Sequence, residues 1–129
     1  MDHHLDNWNN DEEAVIPNDL PQVFLWRMLV MPVKPRKVSA GGIVIAESAR
    51  DAEQYLTYIG KVLDMGPLCY KGERFAGQPP ESLPKVGDWV GYGKYAGQPI
   101  MFKGLRLIVL NDDNVLFRAE SPEGFRIHI

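Results

Sequence analysis

The sequence predicts an all-β fold, a small barrel or sandwich that carries two long insertions. Ten prolines and twelve glycines are spread along 129 residues instead of clustering in one linker, which favours short strands and frequent turns. The apolar stretches are short and rich in β-branched and aromatic residues. Residues 46–54 alone have a helix-forming composition, and they lack the apolar stripe of a packed helix.

Five runs have strand character and follow one another along the chain. They cover residues 22–31, 55–66, 85–93, 99–110 and 114–118. We expect Pro32 and Pro35 to end the first run, because proline lacks a donor for a sheet ladder. Gly60 should mark a bulge in the second run. The fourth run should form two strands joined by a tight turn at Lys103-Gly104, where glycine tolerates a positive φ.

The charge distribution separates the N-terminus from the rest of what we expect to be one domain. Residues 1–20 hold six carboxylates and no Lys or Arg, whereas the remainder carries 14 basic and 11 acidic residues. A segment so charged and so poor in apolar residues does not offset the entropy of ordering, so we expect a disordered acidic tail over 1–20. The weakly basic remainder contains no basic run, which argues against nucleic-acid binding.

Hydropathy and cysteine content favour a cytoplasmic protein. No apolar run approaches the roughly 18 residues of a membrane span, and the N-terminus has neither the basic start nor the apolar stretch of a signal peptide. Cys69 is the single cysteine, so no intrachain disulfide is expected. A reducing compartment without a membrane partner fits both observations.

Residue types that catalyse reactions or bind metals do not cluster in this sequence. His3 and His4 lie in the acidic tail and His128 lies at the opposite end, which argues against a metal site. Cys69 has no CxxC spacing and is better explained as a small loop residue than as a nucleophile. The stretch GYGKYAG lacks the order of a phosphate-binding loop, and the acidic pair in NDDN suits a strand turn. We therefore predict that the protein is not an enzyme and binds no metal or cofactor.

One aliphatic tripeptide, Ile43-Val44-Ile45, lies between flanks that do not resemble a core. Basic, proline-rich sequence precedes it, and a charged, alanine-rich stretch follows. Gly41 and Gly42 stand immediately before it. Two explanations are open: a buried strand with unusual flanks, or an exposed loop that binds a partner through the tripeptide.

Three stretches together resemble the GroES family, the small co-chaperonins that cap GroEL-type chaperonins. WRMLVMPV is similar to the opening strand of that family, SAGGIVIAESARD to its mobile loop, and KVGDWVGYGKYAG with LIVLNDDNVLF to its second half and closing strand. The resemblance covers about residues 24–118 in the family's order. It implies a GroES-like, partly open β-barrel over residues 21–118, with a mobile loop at 33–52.

The resemblance also implies a function for the aliphatic tripeptide. The protein would be a co-chaperonin that caps a chaperonin ring and encloses a substrate protein for ATP-dependent folding. Ile43, Val44 and Ile45 would anchor the loop on the chaperonin, and Gly41 and Gly42 would allow it to bend. ATP would be bound by the chaperonin and not by this chain.

For assembly, the resemblance implies a ring of seven copies. The first strand of one subunit, residues 23–31, would pair with the last strand of its neighbour, residues 114–118, and so cover two exposed edges. Tyr95 matches an aromatic position that faces the enclosed cavity in the family. Packing across the turn at 91–97 would explain Tyr95 equally well.

Three segments depart from the family pattern: 1–20, 67–84 and 119–129. The first precedes the usual start, and the second replaces the roof hairpin with sequence that shares no recognisable residues with it. The third is a C-terminal extension in which Phe125, Ile127 and Ile129 alternate as an extra strand. Co-chaperonins of large tailed bacteriophages diverge in this way, so a viral origin fits these departures, and a viral protein would act in the cytoplasm of its bacterial host.

Two hypotheses compete with a co-chaperonin. The chain could be a structural or assembly protein, for example of a virion, that retains the barrel without binding a chaperonin. An enzyme domain with the related barrel of alcohol dehydrogenases is disfavoured, because no nucleotide-binding half or zinc ligand set accompanies it. The intact GGIVI stretch argues against the structural protein, since a chain released from chaperonin binding has little reason to expose three aliphatic residues.

Overall fold

The computed structural model describes Asn10 and residues 14–33, 57–93 and 95–121, and the backbone of three further short strands. The described residues contain nine strands: β1 Arg27–Val33, β2 Arg36–Val38, β3 Val44–Ile45, β4 Thr57–Met65, β5 Trp89–Gly93, β6 Gln98–Phe102, β7 Leu105–Asn111, β8 Val115–Ala119 and β9 Arg126–His128. Three short 3-10 helices and no α-helix accompany them within these ranges. The predicted all-β fold is confirmed. In the same residues, no helix has the length and apolar character needed to span a membrane.

Six of the strands form one antiparallel sheet in the order β6-β7-β1-β4-β5-β8. The sheet is not closed, because β6 and β8 each pair with one neighbour only. This arrangement fits the predicted partly open barrel. The remaining strands form a small second sheet in the order β3-β2-β9.

Strand β1 lies at the centre of the large sheet and is buried on both faces. Met28 and Val30 belong to one core cluster, whereas Leu29, Met31 and Val33 belong to the other. Because successive side chains of a strand point to opposite faces, a continuous apolar run is what a strand between two cores requires. The two clusters together form the core of the domain.

The first strand begins and ends later than the sequence predicts. It starts at Arg27, because a turn precedes it in which the Arg27 amide donates to the Phe24 carbonyl at 3.1 Å and Leu25 has φ of 58°. It then continues through Pro32 to Val33, so the expected stop at Pro32 is wrong. Pro35 lies outside the described residues.

Asn10 explains why β1 tolerates Pro32. Pairing of β1 with β7 ends at Val30, and the Pro32 carbonyl accepts hydrogen bonds from the Asn10 amide at 2.9 Å and from its Nδ2 at 2.8 Å. The nitrogen and oxygen of a strand residue face the same edge, so the absent N–H of Pro32 faces Asn10 and no bond to β4 is lost. A distant side chain therefore replaces the missing ladder at this position.

Asn10 and residues 14–20, which the sequence places in an acidic tail, pack on the body of the domain. The side chain of Asn10 also bridges to β7, where Nδ2 donates to the Arg106 carbonyl at 2.7 Å and Oδ1 accepts from the Arg106 amide at 3.0 Å. Ala14, Ile16 and Leu20 pack against the second core cluster. These contacts offset the conformational entropy that the segment loses on ordering, which its composition alone would leave uncompensated.

Gly60 is required by close packing and does not mark a bulge. The register of β1 on β4 shifts between Leu29, opposite Asp64, and Val30, opposite Val62, so the extra residue of β4 is Leu63. Gly60 itself is paired in register on both sides. A Cβ atom there would lie 2.4 Å from Cγ1 of Val30 and 2.9 Å from the Met31 carbonyl oxygen. Glycine therefore permits the close approach of the two central strands.

The hairpin formed by β6 and β7 is as predicted. Lys103 and Gly104 form the two-residue connection, and their φ angles are 52° and 81°. A type I′ turn requires positive φ at both central positions, and this turn matches the twist of the flanking strands.

The excursion at residues 67–84 lies against the turn between β7 and β8. It contains two 3-10 helices, Glu73–Phe75 and Pro80–Ser82, and no strand, so it forms no β-hairpin. Asp112, with only 1% of its side chain exposed, accepts a hydrogen bond from the Tyr70 amide at 3.0 Å. Arg74 then bridges Asp112 at 3.4 Å and Asp113 at 2.8 Å. A buried carboxylate therefore holds the excursion down on the barrel.

We expect Asp112→Ala to release the excursion. Removal of this carboxylate leaves the Tyr70 amide without its acceptor, at a cost of about 1–3 kcal/mol in the free energy of unfolding. Asp113→Ala is the matched control, because the exposed pair between Arg74 and Asp113 contributes at most about 1 kcal/mol. Urea denaturation measures the stability, and limited trypsin cleavage after Lys71 and Arg74 reports the release. Equal effects of the two substitutions would contradict the assigned role of Asp112.

Candidate functional site

Two strands of the second sheet, β2 and β3, lie in the long connection between β1 and β4. This connection leaves the large sheet after Val33 and returns at Thr57. Its two ends are close together, because Val33 pairs with Ile59 in the antiparallel ladder, and both of these residues are buried. Val33, which the sequence places in the loop, is part of β1. The connection is thus attached at both ends to the most buried part of the domain.

Within the connection, β2 and β3 form an antiparallel hairpin. Lys37 pairs with Ile45 and Val38 pairs with Val44. Two of the three predicted anchor residues, Val44 and Ile45, therefore form β3. Gly41, Gly42 and Ile43 lie outside the described residues, between the two strands in sequence. The five residues that separate Val38 from Val44 are within the usual length of a hairpin loop.

The C-terminal strand β9 completes the second sheet. Arg126, Ile127 and His128 pair in parallel with the three residues of β2. The predicted extra strand is therefore present over Arg126–His128, whereas Phe125 and Ile129 lie outside the described residues.

Tyr95 lies in the connection between β5 and β6, and 80% of it is exposed. The Tyr95 side chain therefore lies on the surface of the domain. The neighbouring Gly97 has φ of 79° and lies against the body, since a Cβ there would be 2.7 Å from the Val109 carbonyl oxygen. The turn carrying Tyr95 is consequently held close to β7.

An apolar surface that the sequence reasoning missed lies before β1. It consists of Phe24, Leu25, Trp26 and Leu68, all exposed, and the Leu68 amide donates to the Leu25 carbonyl at 2.9 Å. We call these four residues the Phe24 patch. The sequence predicts a strand for the first three of these residues. The turn at Leu25 instead exposes them, and it is hydrogen-bonded to residues 66–68, with the Gly66 amide donating to the Arg27 carbonyl and the Leu68 amide to the Leu25 carbonyl.

The expected pairing of residues 23–31 with a neighbouring subunit needs a correction. Residues 28–30 are already paired on both edges, with β4 and with β7, so they have no free edge for another chain. The free edge of β8 is different, since β8 pairs with β5 alone among the described strands. Leu116 of β8 is 64% exposed.

Catalytic and metal-binding chemistry finds no support in the described part of the chain. No group of three or more His, Cys, Asp or Glu side chains lies there in a position to bind a metal ion. The thiol of Cys69 is buried and donates to the Arg27 carbonyl at 3.2 Å. Burial raises the pKa of this thiol to about 11, so it is protonated and unreactive at neutral pH.

These features describe a class of protein: a small, partly open β-barrel with a hairpin in a long connection, an exposed strand edge and an exposed apolar surface. The Cpn10 family, described as the chaperonin 10 Kd subunit, matches residues 23–118. The protein belongs to this family. It is 37% identical over 90 residues to a co-chaperonin GroES of Rickettsia canadensis, an alignment that covers 70% of this chain and 87% of the relative. It is 34% identical over 91 residues to a co-chaperonin GroES of Coxiella burnetii, with 70% and 86% covered.

Proposed function

We propose that this protein is a co-chaperonin that caps a GroEL-type chaperonin ring through the hairpin of β2 and β3. The observation that carries the proposal is the placement of Val44 and Ile45 in a hairpin whose two ends join adjacent, buried strands of the barrel. The family match supports it independently. Docking would bury the aliphatic residues Ile43, Val44 and Ile45 in an apolar groove of the chaperonin.

Binding energetics favour a cap that acts as a ring. Full burial of three aliphatic side chains gains about 4–9 kcal/mol. Ordering four or five backbone residues costs about 1–2 kcal/mol for each residue, so a single loop binds weakly. Several loops on one rigid ring share a single association cost, which raises the overall affinity without a new contact. Weak single contacts also allow the cap to leave when the nucleotide state of the chaperonin changes.

The ring would consist of seven copies, in which the Phe24 patch of one subunit covers the β8 edge of its neighbour. The patch provides four exposed apolar side chains, and β8 provides an exposed Leu116 and an edge that pairs with no second strand among those described. Covering both removes apolar surface from water and protects an edge that would otherwise promote aggregation. Both surfaces lie within residues 23–118, the region shared with the family.

Leu116→Arg should break the ring into smaller species, because burial of a guanidinium in an apolar contact is costly when no partner pairs with its charge. Met101→Arg is the matched control, since Met101 is 56% exposed on β6, the opposite edge strand of the sheet. Mass photometry of the two variants gives the oligomer distribution, and the control should keep the mass of the unmodified ring. If Met101→Arg lost the ring and Leu116→Arg kept it, the subunit interface would lie at β6, which would contradict the proposed interface at β8.

The enclosed cavity would hold the substrate protein, and Tyr95 would contact it. Support comes from the exposure of Tyr95 and from the close approach of the neighbouring Gly97 to β7. ATP would be bound by the chaperonin in the cytoplasm, and not by this chain. Because the excursion forms no hairpin and lies against the turn after β7, the roof of such a cage would be open or loosely covered.

A structural or assembly protein without chaperonin binding is not favoured. The family match includes the whole connection between β1 and β4. An assembly protein would need the barrel and its edges, but not the aliphatic hairpin.

Val44→Asp should weaken chaperonin binding by about 100-fold or more, because an unpaired carboxylate is costly in an apolar groove. The ring repeats the defect in every subunit, so avidity multiplies the loss. Val15→Asp is the control, because it adds the same charge as Val44→Asp at a residue that is 87% exposed. Val15 also lies outside residues 23–118, the region that matches the family. Nucleotide-dependent co-sedimentation with a bacterial chaperonin measures binding, and thermal midpoint and oligomer mass report folding. Retained binding of an intact Val44→Asp ring would contradict the proposal, and a collapse in stability would show that Val44 is core.

A further inference from the structure

We propose that the C-terminal strand β9 is a third strand that stabilises the hairpin of β2 and β3, the docking hairpin, before the chaperonin binds. This inference rests on the proposed function of the hairpin. It starts from the pairing of Arg126, Ile127 and His128 with β2. Residues 119–129 lie beyond the region that matches the family, so the family match does not account for this strand.

A third strand matters because the hairpin is short. Two residue pairs join β2 to β3, and a two-stranded hairpin of this size is marginal in water. Three further pairs join β2 to β9, so the larger share of the ladder of this sheet comes from the C-terminus. Ordering the hairpin in advance reduces the conformational entropy that docking would otherwise cost.

The strand order shows that β9 leaves the docking strand accessible. Strand β2 is central, with β3 on one edge and β9 on the other. The outer edge of β3, where Val44 and Ile45 lie, has no paired neighbour among the described strands. The C-terminal strand therefore stabilises the hairpin at the edge of β2 opposite β3, and it does not compete with the chaperonin for β3.

The connection of β9 to the barrel also restrains where the hairpin lies. Strand β8 ends at Ala119 and β9 begins at Arg126, so six residues join them. A connection of this length reaches at most about 20–25 Å. The hairpin is consequently attached to the body through β8 as well as through β1 and β4.

The register places two arginines at paired positions of β2 and β9. Arg36 of β2 is directly opposite Arg126 of β9, and like charges at paired positions of neighbouring strands are destabilising. We expect Arg126→Glu, which creates an opposite-charge pair at this position, to slow amide exchange in β2. A substitution that strengthens the pairing distinguishes a specific ladder from a general effect of the C-terminus.

The test compares the full chain with Arg126→Glu and with three further variants by hydrogen exchange and by chaperonin binding. Deletion of residues 122–129 removes β9 and leaves β8 intact, and Ile127→Pro removes a donor from the middle of the strand. Ile127→Val is the control, because valine keeps both the donor and the β-branched side chain. Thermal midpoints show whether each variant is folded. If the deletion variant does not fold, Ile127→Pro tests the proposal in its place.

In the absence of chaperonin, we expect amides of residues 36–45 to exchange roughly tenfold faster or more in the deletion and in Ile127→Pro, and at the original rate in Ile127→Val. Chaperonin affinity should fall several-fold in the same two variants. Unchanged exchange would overturn the pairing, and faster exchange with unchanged or tighter binding would overturn the supporting role. Failure of the unmodified chain to bind would refute the proposed function, a result that is distinct from the exchange comparison.

Discussion

The rest of the structure depends on the central position of β1. This strand is hydrogen-bonded to β4 on one edge and to β7 on the other, and five of its seven residues are buried in two core clusters. Every other strand of the large sheet is placed relative to it. The constraint also explains Gly60, since β1 and β4 approach so closely that a side chain at this position would meet Val30.

The same constraint suits the long connection between β1 and β4 to the binding role proposed for it. Its ends are adjacent and buried, at Val33 and Ile59, so the residues between them can change without disturbing the core. A rigid base limits the positions that the hairpin samples, and the proposed ring multiplies the weak contact of each loop. The buried Asp112 has a comparable role at the other insertion, because it holds the excursion against the barrel.

Local chemistry in the sequence was sufficient for some elements and not for others. The hairpin at Lys103-Gly104 could be predicted, because a two-residue turn with glycine depends only on its own backbone. The path of β1 through Pro32 could not, since it depends on Asn10, a residue from a segment whose composition indicates a tail. The Phe24 patch was missed for a similar reason, because the turn at Leu25 arises from contacts with residues 66–68. The flanks of the aliphatic tripeptide mark it as unusual, but the chaperonin-binding role proposed for it rests on the family resemblance. The pairing of β9 with β2 has no signal in the sequence beyond an alternating apolar pattern.

Hydrogen exchange of the whole protein, alone and with a bacterial chaperonin and nucleotide, tests the central claim most directly. We predict that amides of β1 exchange slowest in both states, because their opening requires unfolding of the sheet. Protection gained with the chaperonin should be confined to the connection between β1 and β4, with its largest value around Val44 and Ile45. Protection that instead appears on the barrel surface, or no change in any nucleotide state, would contradict the account.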